Sequence, residues 1–462
     1  MPFDTARPTL DVAGLRQLVT GPVLTPGDPG YDAARLVRYG DPDRRPAAVV
    51  QAQDTQDVRH AVAAARGAGL ELAVRSGGHS AVGHGTTDGG LVVDLRGLTE
   101  LSIDPGDRTA WVGAGVTAGA FTLAAGEHGL ATGFGDTGSV GITGIVLGGG
   151  VGLLSRRHGL TIDSLLAAEV VTASGDLVLA DADSDADLFW ALRGGGGNLG
   201  VVTRLKLRLH DVRDFVGGIL VLPATPDVLE GFVDLAGRAP RELTTIVNVM
   251  LCPPMPFVPA EAHGRPVVLA MIAWAGDVDE GQRVIGELRA LAEPLADLVG
   301  PSPYAAMFAD EGHGADGPAP TAVSQTMFVD SIDAATAEQA VSWVAGSSGP
   351  SRVVQVRVLG GAVGDVPSDA TAYAHRDAPI MVNVATLYGA AAQREPAWLE
   401  ITRMRGVLDQ GRPGVYVNFL GDEGPDRVRE AYPGRTWDRL VEIKRRYDPE
   451  NVFRLNQNIP PT

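Results

Sequence analysis

Glycine placement constrains this chain more than any other feature. Of its 462 residues, 60 are glycine, and they crowd between residues 77 and 200. Without a collagen period, such an excess marks turns and places where backbone must approach a neighbour too closely for a Cβ. A chain that needs this much bare backbone in one stretch folds into short elements around loops, and the loops are where function is expected. The length implies two or three domains. With 45% hydrophobic and 20% charged residues, wholesale disorder is excluded.

The formal net charge is −18, and no stretch concentrates Lys and Arg. Nucleic acid is therefore not an expected partner, and a solvated acidic surface accounts for the charge. Cys252 is the one cysteine, which removes intramolecular disulfides and multi-cysteine metal sites. It stands in an apolar run before Pro253, a core position. No basic start followed by an apolar segment appears, and the longest apolar run, near residues 216–221, is too short to span a bilayer. The expectation is a cytoplasmic monomer or homodimer with no membrane partner.

The first half reads as short strands and helices. AAVV (47–50), an amphipathic helix over 55–69 with Val58, Ala61, Val62 and Ala65 on one face, and ELAVR (71–75) form a βαβ start. LVVDL (91–95), TAWVGAG (109–115), AAEVVTA (167–173) and LVLA (177–180) follow as strands, with SGD (174–176) as a hairpin turn. Ser184 and Asp187 have capping-box spacing and predict a helix that ends at Gly194. From about residue 211 the glycine loops stop. Strand patterns at 216–222, 244–252, 266–274, 323–329, 352–359 and 380–387 alternate with helical patterns at 227–237, 280–295, 335–344 and 396–408. This predicts a separate α/β domain on one sheet. The tail holds a strand pattern, YVNFL (416–420), and a helix through Trp437, Leu440, Val441 and Lys444.

Three strings imitate the dinucleotide pattern G-x-G-x-x-G/A, so a nicotinamide-dependent dehydrogenase is one reading. Gly113–Ala118 follows a strand, precedes a helix and has Asp136 at a suitable distance. It does not open an N-terminal βαβ unit, and its helix is glycine-broken. Gly195–Gly200 is followed by the strand VVTRLKLRL where a helix N-terminus is needed. Gly148–Gly152 lacks the final glycine. RSGGHS (75–80) is a different cradle: a strand delivers Arg75, and two glycines let backbone N–H groups converge on an anion. A plain Gly-Gly turn reads the same.

RSGGHS, GDTGSVGITGIVLGGGVGLLSRRHGL (135–160), DLFWALRGGGGNLGVVT (187–203), YVNF (416–419) and RRYDPENVFRLNQNIPP (445–461) together resemble the berberine-bridge-enzyme-like branch of the vanillyl-alcohol oxidase / p-cresol methylhydroxylase superfamily. The motifs stand in that family's order across nearly the whole chain. The resemblance implies an α+β fold: a two-part FAD-binding domain of the p-cresol methylhydroxylase type, residues 1–210 and 414–462, with an inserted α/β substrate domain, residues 211–413, built on an antiparallel sheet that roofs the flavin.

The resemblance also implies site residues. His79 is carried over as the covalent ligand of the flavin 8α carbon, an attachment that raises the flavin potential. Many relatives add a second link from a cysteine where this chain has Thr137, so a single link is expected. Val140 falls where family members control oxygen access, and a small Val there goes with oxidases. Several relatives carry a helping tyrosine where this chain has Val151. That leaves Tyr416 as general base, with a lowered pKa, and Asn418 beside it. Arg75, Ser76, Gly77, Gly78 and Ser80 are expected around pyrophosphate, Gly138, Gly141, Thr143 and Gly144 along the next loop, and Asn198, Gly200 and Val202 beside the adenine or flavin edge. His84 and His158 read as structural.

For the substrate, strand alternation pairs Asn248 with Met250, Gln325 with Met327, and Gln355 with Arg357, without saying which face is which. Residues 356–376 resemble the segment that borders the substrate cavity in bacterial members. The implied reaction is two-electron oxidation of an alcohol or amine carbon of a small organic or secondary-metabolite substrate, with molecular oxygen reduced to hydrogen peroxide. A flavin-dependent monooxygenase or oxidative cyclase, and a non-catalytic flavin-binding protein, are the alternatives.

Overall fold

The computed structural model describes residues 10–39, 43–308, 321–347 and 351–462. The βαβ start forms as the periodicity predicts. Strands Ala48–Gln51 and Leu72–Arg75 both lie parallel to Leu91–Asp94, which sits between them, and the short strand Val23–Leu24 adds an antiparallel edge. Helix Thr55–Gly67 crosses over, capped by the Asp54 carboxylate accepting from Asp57 N, with Val58, Ala61, Val62 and Ala65 buried beneath it. A second, antiparallel sheet runs in the order Leu101–Asp104, Thr109–Gly113, Val201–Arg208, Leu165–Val171, Leu177–Asp181.

The large sheet has eight strands among the described residues, all antiparallel. Its long strands run in the order Phe215–Pro223, Pro266–Ala275, Leu243–Leu251, Ser351–Val358, Ile380–Tyr388, Thr321–Val329. Helices Pro226–Arg238, Val278–Arg289, Ala334–Ala345 and Arg394–Leu408 cover one face, where Val247, Val249, Val354, Val356, Val382 and Val384 form a dry core with them. The opposite face packs on the N-terminal part through Ile246, Ala273, Phe328 and Met381.

The tail returns to the first part of the chain. Helix Arg435–Tyr447 buries Lys444, whose ammonium donates to Asn198 O (2.7 Å), Asp448 Oδ2 (2.6 Å) and Phe453 O (3.0 Å). Neither Lys444 nor Asp448 is exposed at all, so three acceptors replace the water that a buried ammonium gives up. No helix among the described residues is long and apolar enough to cross a membrane.

Three local expectations are corrected. Residues 416–420 are not a strand: Val417–Phe419 is a 3-10 turn, closed by Phe419 N donating to Tyr416 O and Leu420 N to Val417 O. The Ser184 box does not form. The helix starts at Ala186 behind Asp185, which gives no side-chain cap, because Asp181 Oδ1 already accepts from Asp183 N and Ser184 N, and Asp185 accepts from the Tyr447 hydroxyl. The helix expected to reach residue 295 ends at Arg289, because Leu295 N donates to Val221 O and leads into the edge strand Ala296–Asp297.

Candidate active site

The loop after Leu72–Arg75 is shaped by two glycines and a buried arginine. Arg75 is 2% exposed, and its guanidinium donates to Asp94 Oδ2 (2.8 Å), Leu36 O (3.0 Å) and Ala34 O. Burial pulls its pKa down while Asp94 holds it up. The Arg75 side chain thus braces the loop from inside the protein, with its Nε left without a partner among the described residues. Ser76 Oγ and Thr143 Oγ1 both donate to Ala114 O, at 2.7 and 3.2 Å, and so join this loop to the one that follows residue 135.

The two loops meet backbone to backbone. A Cβ on Gly77 would stand 2.3 Å from Gly141 N, and one on Gly141 would stand 2.2 Å from Ser76 Oγ. Gly78 has φ +73°, a region that L side chains rarely adopt. Among the described residues no protein acceptor pairs with the N–H of Gly77, Gly78, His79, Ser80, Gly138 or Ser139. Unpaired backbone N–H groups on adjoining loops can cradle an anion. Gly144 sits exposed on helix Ile142–Gly148, with no heavy atom within 4 Å of where a Cβ would lie.

His79 lies in this cradle, half-buried, with Nε2 3.3 Å from Ser139 Oγ and its ring edge-on to Tyr39. Burial, with the nearby Arg38 charge, pulls its pKa down to about 4, so the imidazole is neutral at neutral pH. Thr137 Oγ1 donates to Asp136 Oδ1 at 3.2 Å. Val140 follows in the same loop, half-buried, its carbonyl accepting from Ala118 N.

A second centre forms around Tyr416, which is 3% exposed. Its Oη accepts from Gly150 N (2.9 Å), Val151 N (3.3 Å) and Asn418 Nδ2 (3.0 Å). Asn418 Nδ2 also donates to Ile145 O at 3.0 Å, and because that carbonyl can only accept, the carboxamide orientation is determined. Gly148 is required here, since a Cβ would stand 1.9 Å from Asn418 Oδ1. The expected lowering of the Tyr416 pKa is corrected: burial dominates and raises it, opposed by the three donors and the Arg357 charge. A phenol offers two lone pairs and one proton, whereas a phenolate accepts three donors readily, so the surroundings favour the anion as far as burial allows.

Other expected residues are set among protein neighbours. Asn198 is 1% exposed and its carboxamide is held by its own loop and by the tail, donating to Gly195 O and Gln457 O and accepting from Ile459 N. Val202 is a core residue paired with Val170, and Gly200 is bare because a Cβ would strike Val170 Cγ1 at 2.5 Å. Ser80 Oγ accepts from His84 N at 3.4 Å. Gln325 faces the helices, donating to Thr402 Oγ1 at 3.1 Å, while Asn248, Gln355 and Arg357 face the opposite way. His158 stacks on His210, with ring centroids 4.1 Å apart. The string at 113–118 is tight packing: a Cβ on Gly113 would stand 2.2 Å from Leu98 O and one on Gly115 2.3 Å from Leu95 O.

Sequence reasoning missed the ion pair that joins the sheet to the loops. Arg357 Nη2 donates to Asp136 Oδ2 at 2.5 Å and Nη1 to Val151 O at 3.0 Å, with its guanidinium over the Phe419 ring. Their sequence separation leaves no local signal. Tyr373, buried edge-on to Tyr416, was missed for the same reason.

Known proteins resemble this chain over nearly its whole length. Residues 46–181 match a family model described as an FAD binding domain, and residues 415–460 one described as berberine and berberine like. The chain is 33% identical over 461 residues to (R)-6-hydroxynicotine oxidase of Paenarthrobacter nicotinovorans, covering 96% of this chain and 97% of that protein. It is 30% identical over 453 residues to the FAD-linked oxidoreductase YgaK of Bacillus subtilis, covering 96% and 97%. The crystal structure of 6-hydroxy-D-nicotine oxidase from Arthrobacter nicotinovorans superimposes with a TM-score of 0.85 at 29% identity, over 96% of this chain and 98% of that one.

Proposed function

The chain belongs to the berberine-bridge-enzyme-like FAD-linked oxidases, and from that premise we propose that it oxidises an alcohol or amine carbon of a small organic or secondary-metabolite substrate. The observation that carries this reading is Tyr416, whose buried oxygen has three N–H donors and no protein acceptor for its proton among the described residues. Such a group takes a proton from a substrate O–H or N–H as hydride leaves the adjacent carbon.

The residues present fit FAD. The unpaired N–H groups of Gly77, Gly78, His79 and Ser80 suit a pyrophosphate, and the space above Gly144 suits a planar ring system. Ser76, Gly138, Gly141 and Thr143 hold the two loops together. His79, with a neutral imidazole, is the residue we assign as covalent ligand. Cys252 is buried in a separate cluster with Val221, Val258 and Val267, and Thr137 is not a nucleophile toward flavin, so His79 is the single link. Bound there, FAD would supply a two-electron acceptor, with oxygen as the final oxidant reduced to hydrogen peroxide. Val140, small and in the His79-facing loop, leaves oxygen access open. Asn418 and the N–H groups of Gly150 and Val151 hold the Tyr416 oxygen and ease its deprotonation. We assign residues 1–210 and 414–462 to the flavin part and 211–413 to the substrate part.

The test is spectroscopic. Yellow colour retained in acid-precipitated protein supports covalent attachment, and colour released to the supernatant overturns it. Substrate should bleach the flavin without air, and one peroxide should form per product. Label from dioxygen found in the product would instead favour oxygenation.

A further inference from the structure

The sheet face that looks toward Tyr416 carries a row of carboxamides. Asn248, Gln355 and Asn383 stand directly opposite one another on three adjacent strands. Gln355 Nε2 donates to Asn248 Oδ1 at 3.0 Å, and Arg357 Nε donates to Gln355 Oε1 at 3.0 Å. Through Arg357 the row is tied to Asp136 and to Val151 O, and the Val151 N–H is one of the donors on Tyr416 Oη. The amides are therefore held in register with the reacting centre.

The row is not saturated. Among the described residues, Asn383 Oδ1 is buried with no hydrogen-bond partner, and Asn248 Nδ2 has no protein acceptor. All three side chains are half-buried, with Met271 and Val353 beside them on the same face. Buried amide atoms without partners are costly unless something supplies the missing bonds. Among the described residues, Arg357 is the one ionisable side chain at the inward positions of the long strands, and its charge is matched by Asp136.

Resting on the oxidase reading above, we propose that this amide row anchors an uncharged alcohol, whose further hydroxyl or carbonyl groups pair with Asn248 and Asn383, and that the site does not take a protonated amine. An ammonium brought under this sheet finds, among the described residues, no carboxylate on the inward strand positions, only Asp136, which is already paired with Arg357, and it loses its water. A carboxylate finds no unmatched cation. A hydroxyl needs one donor and one acceptor, and the row offers both. The reacting carbinol would give its O–H proton to Tyr416 and lose a hydride to the two-electron acceptor that FAD would supply, becoming a carbonyl, with oxygen as the final oxidant taking the electron pair and two protons as hydrogen peroxide.

The experiment uses the flavin-loaded full chain and matched pairs: cinnamyl alcohol with cinnamylamine, vanillyl alcohol with vanillylamine, and trans-1,2-cyclohexanediol with trans-2-aminocyclohexanol. Flavin bleaching without air and ligand-induced shifts of the flavin absorbance band are both read. The alcohols should bind and reduce in preference to the amines. For the best alcohol, Asn383→Leu and Asn248→Leu should each raise KM about three- to tenfold with kcat little changed, the effect of losing one neutral hydrogen bond. Asn383→Asp should move binding toward the amine. Reduction by amines alone overturns this inference and leaves the oxidase reading standing, as does an unchanged KM in both Leu variants whose absorbance spectra match the parent. Reduction by neither member of any pair overturns both.

Discussion

Replacing Asn418 with Leu tests whether the donors around Tyr416 set its proton affinity or only hold its ring. The two backbone donors, Gly150 N at 2.9 Å and Val151 N at 3.3 Å, survive the substitution, and the donor at 3.0 Å is lost. A hydrogen bond to a charged acceptor contributes about 1.5–3 kcal/mol. Asn418 is itself exposed, so the lower end applies, and about 1.4 kcal/mol is one pKa unit. The sign follows from the anion: burial already holds Tyr416 above an ordinary phenol, and removing a group that favours phenolate raises it further. On the acid side of the inflection, the rate of anaerobic flavin reduction should fall about tenfold, and at high pH it should rejoin the parent. Stopped-flow reduction across pH reads this directly, and Tyr416→Phe should remove the inflection altogether. An unchanged inflection with a uniform loss at every pH would refute the reasoning and leave Asn418 as a purely geometric support.

Other perturbations probe the cradle and the frame. His79→Ala should release all flavin on acid precipitation; colour kept in the pellet would reveal a second link. Val140→Phe should slow reoxidation by oxygen while leaving anaerobic reduction intact, and equal slowing of both half-reactions would count against an oxygen gate. Lys444→Met leaves the Asp448 carboxylate buried without its cation and should lower stability by about 3–5 kcal/mol, read from urea midpoints; a shift under about 1 kcal/mol would show the pair to be dispensable. Burial holds His84 and His210 near pKa 4 and His158 near 3, below the unfolded value of 6.5. Their neutral forms favour the fold, so this stability is complete above pH 6.5 and is lost as pH falls toward 4. The melting temperature should drop between pH 7 and pH 5, and a flat profile would contradict it.

Local pattern carried much of this fold into view. Alternation and helical periodicity located each long strand of the large sheet and each helix behind it, because those elements bury one face and their side chains must repeat accordingly. The RSGGHS loop was legible for a similar reason: two glycines beside a strand end announce bare backbone, and the loop does leave its N–H groups unpaired. What stayed hidden was which side chains are satisfied by distant partners. The Arg75 side chain is a brace, because Asp94 arrives beside it on the neighbouring strand. The Asn198 side chain clamps the tail. Tyr416 reads as a strand residue with an acidic phenol, but the 3-10 turn and deep burial decide otherwise. The chain by itself determined its periodicities, its glycine loops and the chemistry available at His79 and Tyr416. Only the tertiary structure decided which polar groups remain free, because that depends on what is brought within about 3 Å from far along the chain: Asp136 onto Arg357, Gln355 onto Asn248, and, among the described residues, nothing onto Asn383 Oδ1.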